Sequence, residues 1–249
     1  MKFLFIVQGE GRGHFTQAIT LEEMLLRNGH EVVEVLVGKS STRTLPGFFN
    51  RSIHAPVKRF ISPNFLPTAD NKRANLTKSF AYNLLRLPEY LRSMYYINQR
   101  IRETGAEVVI NFYELLTGLT YALFRPSVPY ICVGHQYLFL HRDFEFPDKN
   151  SCQLWMLRFF TRMTALRSSK KLALSFLEME QDDMNQIVTV PPLIRPEVTA
   201  IRPEEGDYIH GYMVNSGFAD SVENFHAKHP GLPLTFFWDR SDAEEVTRI

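Results

Sequence analysis

The 249-residue chain is poor in cysteine, carries no excess of one charge and contains no long apolar run. Its two cysteines, Cys132 and Cys152, have the spacing of neither a metal nor a redox motif, so reduced structural thiols in a cytosolic setting are expected. Lys and Arg number 28 against 27 for Asp and Glu, a formal net charge of +1, so no global field draws the protein to nucleic acid. The first apolar run, Phe3 to Val7, is too short for the core of a secretory signal. Nowhere do the ~18 consecutive apolar residues of a membrane span occur. There is also no internal repeat or low-complexity tract, and a hydrophobic content of 45% supports a real core rather than disorder. The expectation is a cytoplasmic protein, soluble or peripherally bound.

What is present concentrates at the start. Lys2 to Val7 is a β-branched and aromatic run of the kind found in a strand buried on both faces of a parallel sheet. After Gln8-Gly9-Glu10-Gly11-Arg12-Gly13-His14-Phe15 the spacing turns helical, with Ala18, Leu21 and Leu25 on one stripe and Gly29 placed to stop the helix. This unit of strand, glycine turn and helix sets unpaired backbone N–H groups and the positive end of a helix dipole beside one ionisable side chain, His14. The plain alternative is a tight β–α connection. Two phosphate-binding patterns fail. The dinucleotide fingerprint needs a third glycine where His14 stands and an acid where the second strand ends in Val37-Gly38-Lys39, and the P-loop's Gly-Lys-Ser/Thr is absent. A nucleotide-dependent oxidoreductase is therefore a weak third reading.

Taken in order, strand-like runs alternate with helical ones, the pattern of a parallel α/β sheet. The second strand is expected over His30 to Val37, with a short helix or irregular crossing from Ser40 to Phe49. From Val57 to Ala74 the pattern fails, and Pro63, Asn64, Pro67 and Asp70 predict a long loop with apolar teeth. Leu76 to Thr104 is helical, split at Pro88, and Gly105 ends it. Ala106 to Phe112, Pro129 to Gly134 and Lys171 to Phe176 predict strands. Leu115 to Phe124 and Cys152 to Ser168 predict helices, and Leu138 to Asn150 an irregular stretch. Prolines 191, 192, 196 and 203 suggest a connector, after which Asp207 to Val214, Phe218 to Lys228 and Leu232 to Trp238 predict a new strand–helix–strand.

At three strand ends the sequence resembles a family. Gly9-x-Gly11-Arg12-Gly13-His14-x-x-Gln17 resembles the opening loop of GT-B glycosyltransferases, the two-domain enzymes that use nucleotide sugars. The similarity is to the bacterial lipid-linked sugar transferases of the MurG kind, to plant small-molecule glycosyltransferases, and above all to a prokaryotic group with a Gly-x-Gly-x-Gly-His start. Val109-Ile-Asn-Phe-Tyr-Glu114 is similar to the family's Val-Ile-Ser-Asp-Phe-Glu, with Phe112 in place of the Asp, and Pro129-Tyr-Ile-Cys-Val-Gly-His135-Gln136 to its strand ending in His-Gln. The resemblance implies an α/β fold: a Rossmann-like parallel sheet over 1–190 on the acceptor side, a linker over 191–206, and at 207–249 the beginning of a second Rossmann-like domain that would supply most of the nucleotide-sugar site. On that reading the chain is expected to be truncated, with the donor-binding residues missing.

The resemblance implies transfer of a sugar from a nucleotide sugar, of the UDP type, to a hydroxyl acceptor in a cell-envelope lipid or glycan. Inversion is implied, with no cofactor and no metal. Ligands in an open parallel sheet sit beyond the carboxyl ends of the strands, so His14, Glu114, His135 and Gln136 are expected to line one crevice. His14 suits the base that takes the acceptor proton, and Glu114 could orient it. Arg12 and the amides around Gly9, Gly11 and Gly13 could meet phosphates, with Gln17 beside them. The plainer readings are a capping histidine, and a carboxylate favoured by a helix N-terminus. Glu223, His226 and His229 have metal-like spacing but fit a solvated helix face. Leu154 to Leu172 mixes large apolar residues with Arg158, Arg162, Arg167, Lys170 and Lys171, a core-packed helix with a basic outer face or a site for peripheral contact with the inner face of an anionic membrane. The function from a different class is a non-catalytic module that binds a carbohydrate or a partner.

Overall fold

In the computed structural model, residues 1–39, 45–64, 66, 68, 76–146, 151–213 and 216–238 are described. The chain divides into two compact units, one of residues 1–63 and 86–200, the other of residues 64–85 and 201–249.

The first unit holds β1 (Lys2–Val7), α1 (Arg12–Arg27), β2 (Glu31–Lys39), α2 (Gly47–Ser52) and β3 (Val57–Ile61). The second unit contributes α3 (Leu76–Leu85), and the first resumes with α4 (Leu87–Glu103), β4 (Val108–Phe112), α5 (Leu115–Phe124) and β5 (Tyr130–Val133). A 3-10 turn (His135–Leu140) leads on to α6 (Cys152–Thr164), β6 (Lys170–Leu174), β7 (Ile187–Val190) and α7 (Pro196–Thr199). The seven strands form one parallel sheet in the order β3-β2-β1-β4-β5-β6-β7. The order runs outward both ways from β1, so its carboxyl end lies next to the point where the winding reverses.

Alternation along β1 explains why both faces are covered. Leu4 and Ile6 point into one core with Leu36, Val109, Tyr90, Met94, Ile97 and Leu116, under α4 and α5. Phe3, Phe5 and Val7 point into the other with Val35, Val37, Ile110, Phe15, Ala18 and Phe49, under α1 and α2. The Val, Leu, Ile, Phe and Met side chains among them each stabilise the fold by about 1.5–3 kcal/mol on burial. One charge sits at the rim of the first core. Glu34, 3% exposed, takes two bonds from Arg100 at 2.8 and 3.0 Å and pairs with Lys58 at 2.7 Å, tying β2, β3 and α4 together.

Helix ends follow the sequence closely. Gly29 and Gly105 take φ of +72° and +66° where α1 and α4 stop, and Pro88 stands in the first turn of α4. The expected loop from Val57 onward is corrected at its start. Residues 57–61 form β3, the edge strand beside β2. With one neighbour strand it buries only Phe60 fully, while Lys58 and Arg59 face out, so no apolar run announces it. For the same reason β7 at the other edge, with only Ile187 fully buried, gives little signal. The rest of that expected loop and of the Ser40 to Phe49 crossing falls partly outside the described residues.

In the second unit, β8 (Ile209–Met213), α8 (Ala219–Lys228) and β9 (Leu234–Trp238) make a parallel strand–helix–strand as expected. Asn64 N donates to Asn83 Oδ1 at 3.2 Å and Asn83 Nδ2 donates back to Asn64 O at 2.8 Å, pinning residue 64 to α3. Among the described residues its buried apolar side chains are Val222 and Leu234. No helix among the described residues is long and apolar enough to cross a membrane.

Candidate active site

The carboxyl edge of the first unit's sheet gathers the residues that the sequence singles out. Gly9, Gly11, Arg12, Gly13, His14 and Gln17 follow β1, Glu114 follows β4, and His135 and Gln136 follow β5. Gly11, extended at φ −125° and ψ 131°, is the cap of α1 and has no side chain with which to cap it. Arg12 is exposed.

His14 is 6% exposed. Its ring stacks on Tyr113 with centroids 5.9 Å apart and planes at 17°. Gln136 Nε2 lies 3.4 Å from His14 Nε2, so the amide donates when Nε2 holds the lone pair, and Nδ1 has no hydrogen-bond partner. Burial, and then the neighbouring His135, push the imidazole pKa from 6.5 to about 4, while Gln17 pulls the other way. The ring is therefore neutral at physiological pH. His135 itself is exposed.

Glu114 is fully buried and does not bond His14. It is the N-cap of α5: its Oε1 accepts from Leu116 N at 3.1 Å and from Ser62 Oγ at 2.6 Å, while Oε2 has no partner. Burial outweighs these bonds and pushes the carboxyl up to about 7, with the charge of Glu10 adding to the rise. The backbone of Glu114 is fixed by Asn111, whose Oδ1 accepts from its N at 2.9 Å and whose Nδ2 donates to its O at 3.2 Å and to Thr164 O at 2.9 Å.

The glycines of the turn differ in what surrounds them. A Cβ on Gly9 would lie 1.9 Å from the Gly38 carbonyl oxygen, and a Cβ on Gly38 would lie 2.3 Å from Glu114 Oε2 and 2.9 Å from Ser62 Cβ. A Cβ on Gly13 would meet nothing within 4 Å. Gly9 and Gly38 are thus required by protein packing, and Gly13 borders open space.

Two side chains that matter here, Tyr113 and Ser62, escape a reading of the sequence, and a glycine, Gly38, is passed over by it. Tyr113 turns β4 into α5 at φ 61°, an angle that costs a non-glycine residue about 1–3 kcal/mol, and bonds Thr161 Oγ1 at 2.8 Å. Nothing in the sequence marks it, because its role depends on a ring contact across β1. Ser62 follows the edge strand that the pattern hides. Gly38 carries a signal, since a glycine inside a strand marks close approach of another group. At the far end of the chain, His229 packs on Phe225 with centroids 4.7 Å apart. Among the described residues no group of three or more His, Cys, Asp or Glu is arranged to hold a metal ion.

The fold has many solved counterparts. Arabidopsis thaliana UGT89C1 complexed with UDP matches at TM-score 0.56 and 14% identity over 98% of this chain and 65% of its own. Phytolacca americana UGT2 complexed with UDP-2fluoro-glucose and pterostilbene matches at 0.55 and 13% over 95% and 66%. The Streptomyces sp. SF2575 glycosyltransferase SsfS6 complexed with thymidine diphosphate matches at 0.54 and 13% over 99% and 70%. At such identities the likeness speaks for the fold, and the chain spans about two thirds of their length. No curated protein matches the sequence. The profile of a family described as Glycosyl transferase family 1 runs over residues 1–240, from before β1 to past β9, and the chain therefore belongs to that family.

Proposed function

We propose that the first unit is the acceptor side of a glycosyltransferase that moves a sugar from a nucleotide-sugar donor to a hydroxyl acceptor, with His14 as the base. The observation that carries this reading is the neutral imidazole of His14 at the carboxyl edge of a family 1 sheet. Gln136 directs the ring so that Nε2 holds the lone pair. An acceptor hydroxyl that takes the place of the Gln136 amide would hand its proton to Nε2 as its oxygen attacks the anomeric carbon. A base at about 4 is weak at neutral pH, but a diphosphate brought to the turn adds negative charge and raises it. The glycine-capped N-terminus of α1 and the open space over Gly13 suit that diphosphate. UDP and thymidine diphosphate in the complexes of similar fold support a nucleoside diphosphate donor.

The test is mass-spectrometric detection of glycosylated product from a panel of UDP- and TDP-sugars with lipid and glycan acceptors. His14→Ala is expected to fold and to lose about 10²–10⁴-fold in rate, the range for removing a general base. Unchanged transfer by that variant would sink the assignment of the base. Sugar binding without turnover by the unaltered chain would favour the non-catalytic module instead.

A further inference from the structure

We infer that Glu114 is the positioning residue of the glycine turn: its carboxyl is wedged between Ser62 and Gly38, Gly9 lies on Gly38, and the first turn of α1 is thereby held in the place that presents His14. The inference rests on the proposed function only for the role of His14.

Three contacts in series carry it. Ser62 Oγ donates to Glu114 Oε1 at 2.6 Å. Glu114 Oε2 lies so close to Gly38 that a Cβ there would be 2.3 Å away. Gly38 O in turn lies 1.9 Å from where a Cβ on Gly9 would stand. In the sheet order β3-β2-β1-β4, Glu114 after β4 therefore reaches past the end of β1 to the ends of β2 and β3, beneath the turn. A carboxyl that served only to cap α5 would need neither Ser62 nor contact with Gly38; the Leu116 bond alone would do.

The protonation of Glu114 should be felt along this series. Facing its carboxyl are the hydroxyl of Ser62, the main chain of Gly38, the opening amides of α5 and, as the charged neighbour, Glu10. Once ionised, the buried group leaves Oε2 as an unpartnered anionic oxygen against Gly38, an arrangement that burial disfavours. Adjustment at Gly38 is passed to Gly9 because their main chains touch.

The experiment is a pH titration of backbone amide and His14 ring resonances by NMR. In the unaltered chain, the Gly9, Gly38 and Ser62 amides are expected to shift together with a midpoint near pH 7. Glu114→Gln, which keeps the shape and the acceptor oxygen, is expected to abolish that titration and hold the acid-side positions. Ser62→Ala is expected to keep the titration and raise its midpoint, because the lost bond favours the charged form. Glycine amides that stay flat near pH 7, or that titrate identically in Glu114→Gln, would overturn the inference. No sugar is involved, so a chain that transfers nothing can still pass. Conversely, a chain that does transfer sugar fails if Gly9 ignores Glu114.

Discussion

Substitutions at two glycines of one turn should have opposite effects. Gly9→Ala drives a methyl group into the Gly38 carbonyl and is expected to lower stability by about 1–3 kcal/mol, the range for overpacking. Gly13→Ala meets open space inside α1 and is expected to raise stability by roughly 0.5–1 kcal/mol from helix propensity and, on the proposed function, to weaken binding of a nucleoside diphosphate. Urea denaturation and UDP titration calorimetry check the pair. His14 and Glu114 are opposed in their pH dependence. The imidazole falls from 6.5 to about 4 on folding, so the unfolded chain binds the extra proton and stability is lost as pH drops through that window. The carboxyl rises from 4.5 to about 7, so the folded chain keeps the extra proton and stability is lost as pH climbs through that window. Each effect is on the order of 3 kcal/mol when complete, and they cancel where the windows overlap. Thermal unfolding should therefore show stability rising with pH for Glu114→Gln and falling for His14→Gln between pH 4.5 and 6.5. Equal slopes in the two variants would refute it.

At the scale of elements, the edge of the sheet depends on a charge. Glu34 joins β2 to α4 through Arg100 and to β3 through Lys58. Removing Arg100 leaves a nearly buried carboxylate with one partly exposed cation. Arg100→Ala is expected to cost about 3 kcal/mol, at the low end for breaking a buried pair, whereas Lys58→Ala should cost under about 1 kcal/mol because the lysine is nearly half exposed. Denaturant midpoints of the two variants separate these outcomes. The central strands were legible because Leu4 and Ile6 on one side and Phe3, Phe5 and Val7 on the other all need cover. The edge strands were not, since Phe60 and Ile187 are their only fully buried apolar residues, and one such residue per strand makes no pattern. Helix limits were readable wherever backbone chemistry dictates them, as at Gly29, Pro88 and Gly105.

At the scale of the molecule, the two units differ in what each buries. The first encloses two apolar cores on the faces of seven strands. The second has Val222 and Leu234 as its buried apolar side chains among the described residues, and a two-stranded sheet. Amides of β8 and β9 are therefore expected to exchange with deuterium far sooner than those of β1 and β4, with an opening free energy well below that of the first unit. Comparable protection in both units would overturn this.

The sequence by itself determined the parallel α/β alternation, the glycine turn after the first strand and the residue types at three strand ends. Those features rest on local chemistry: apolar period, glycine and proline geometry, and a motif read in order along the chain. Only the tertiary structure decided how the strand ends meet. It sets Gln136 and Tyr113 against His14, and turns Glu114 away from the histidine toward Ser62 and Gly38. Burial, which no local pattern measures, then drives the histidine and the carboxyl to opposite sides of their ordinary protonation ranges.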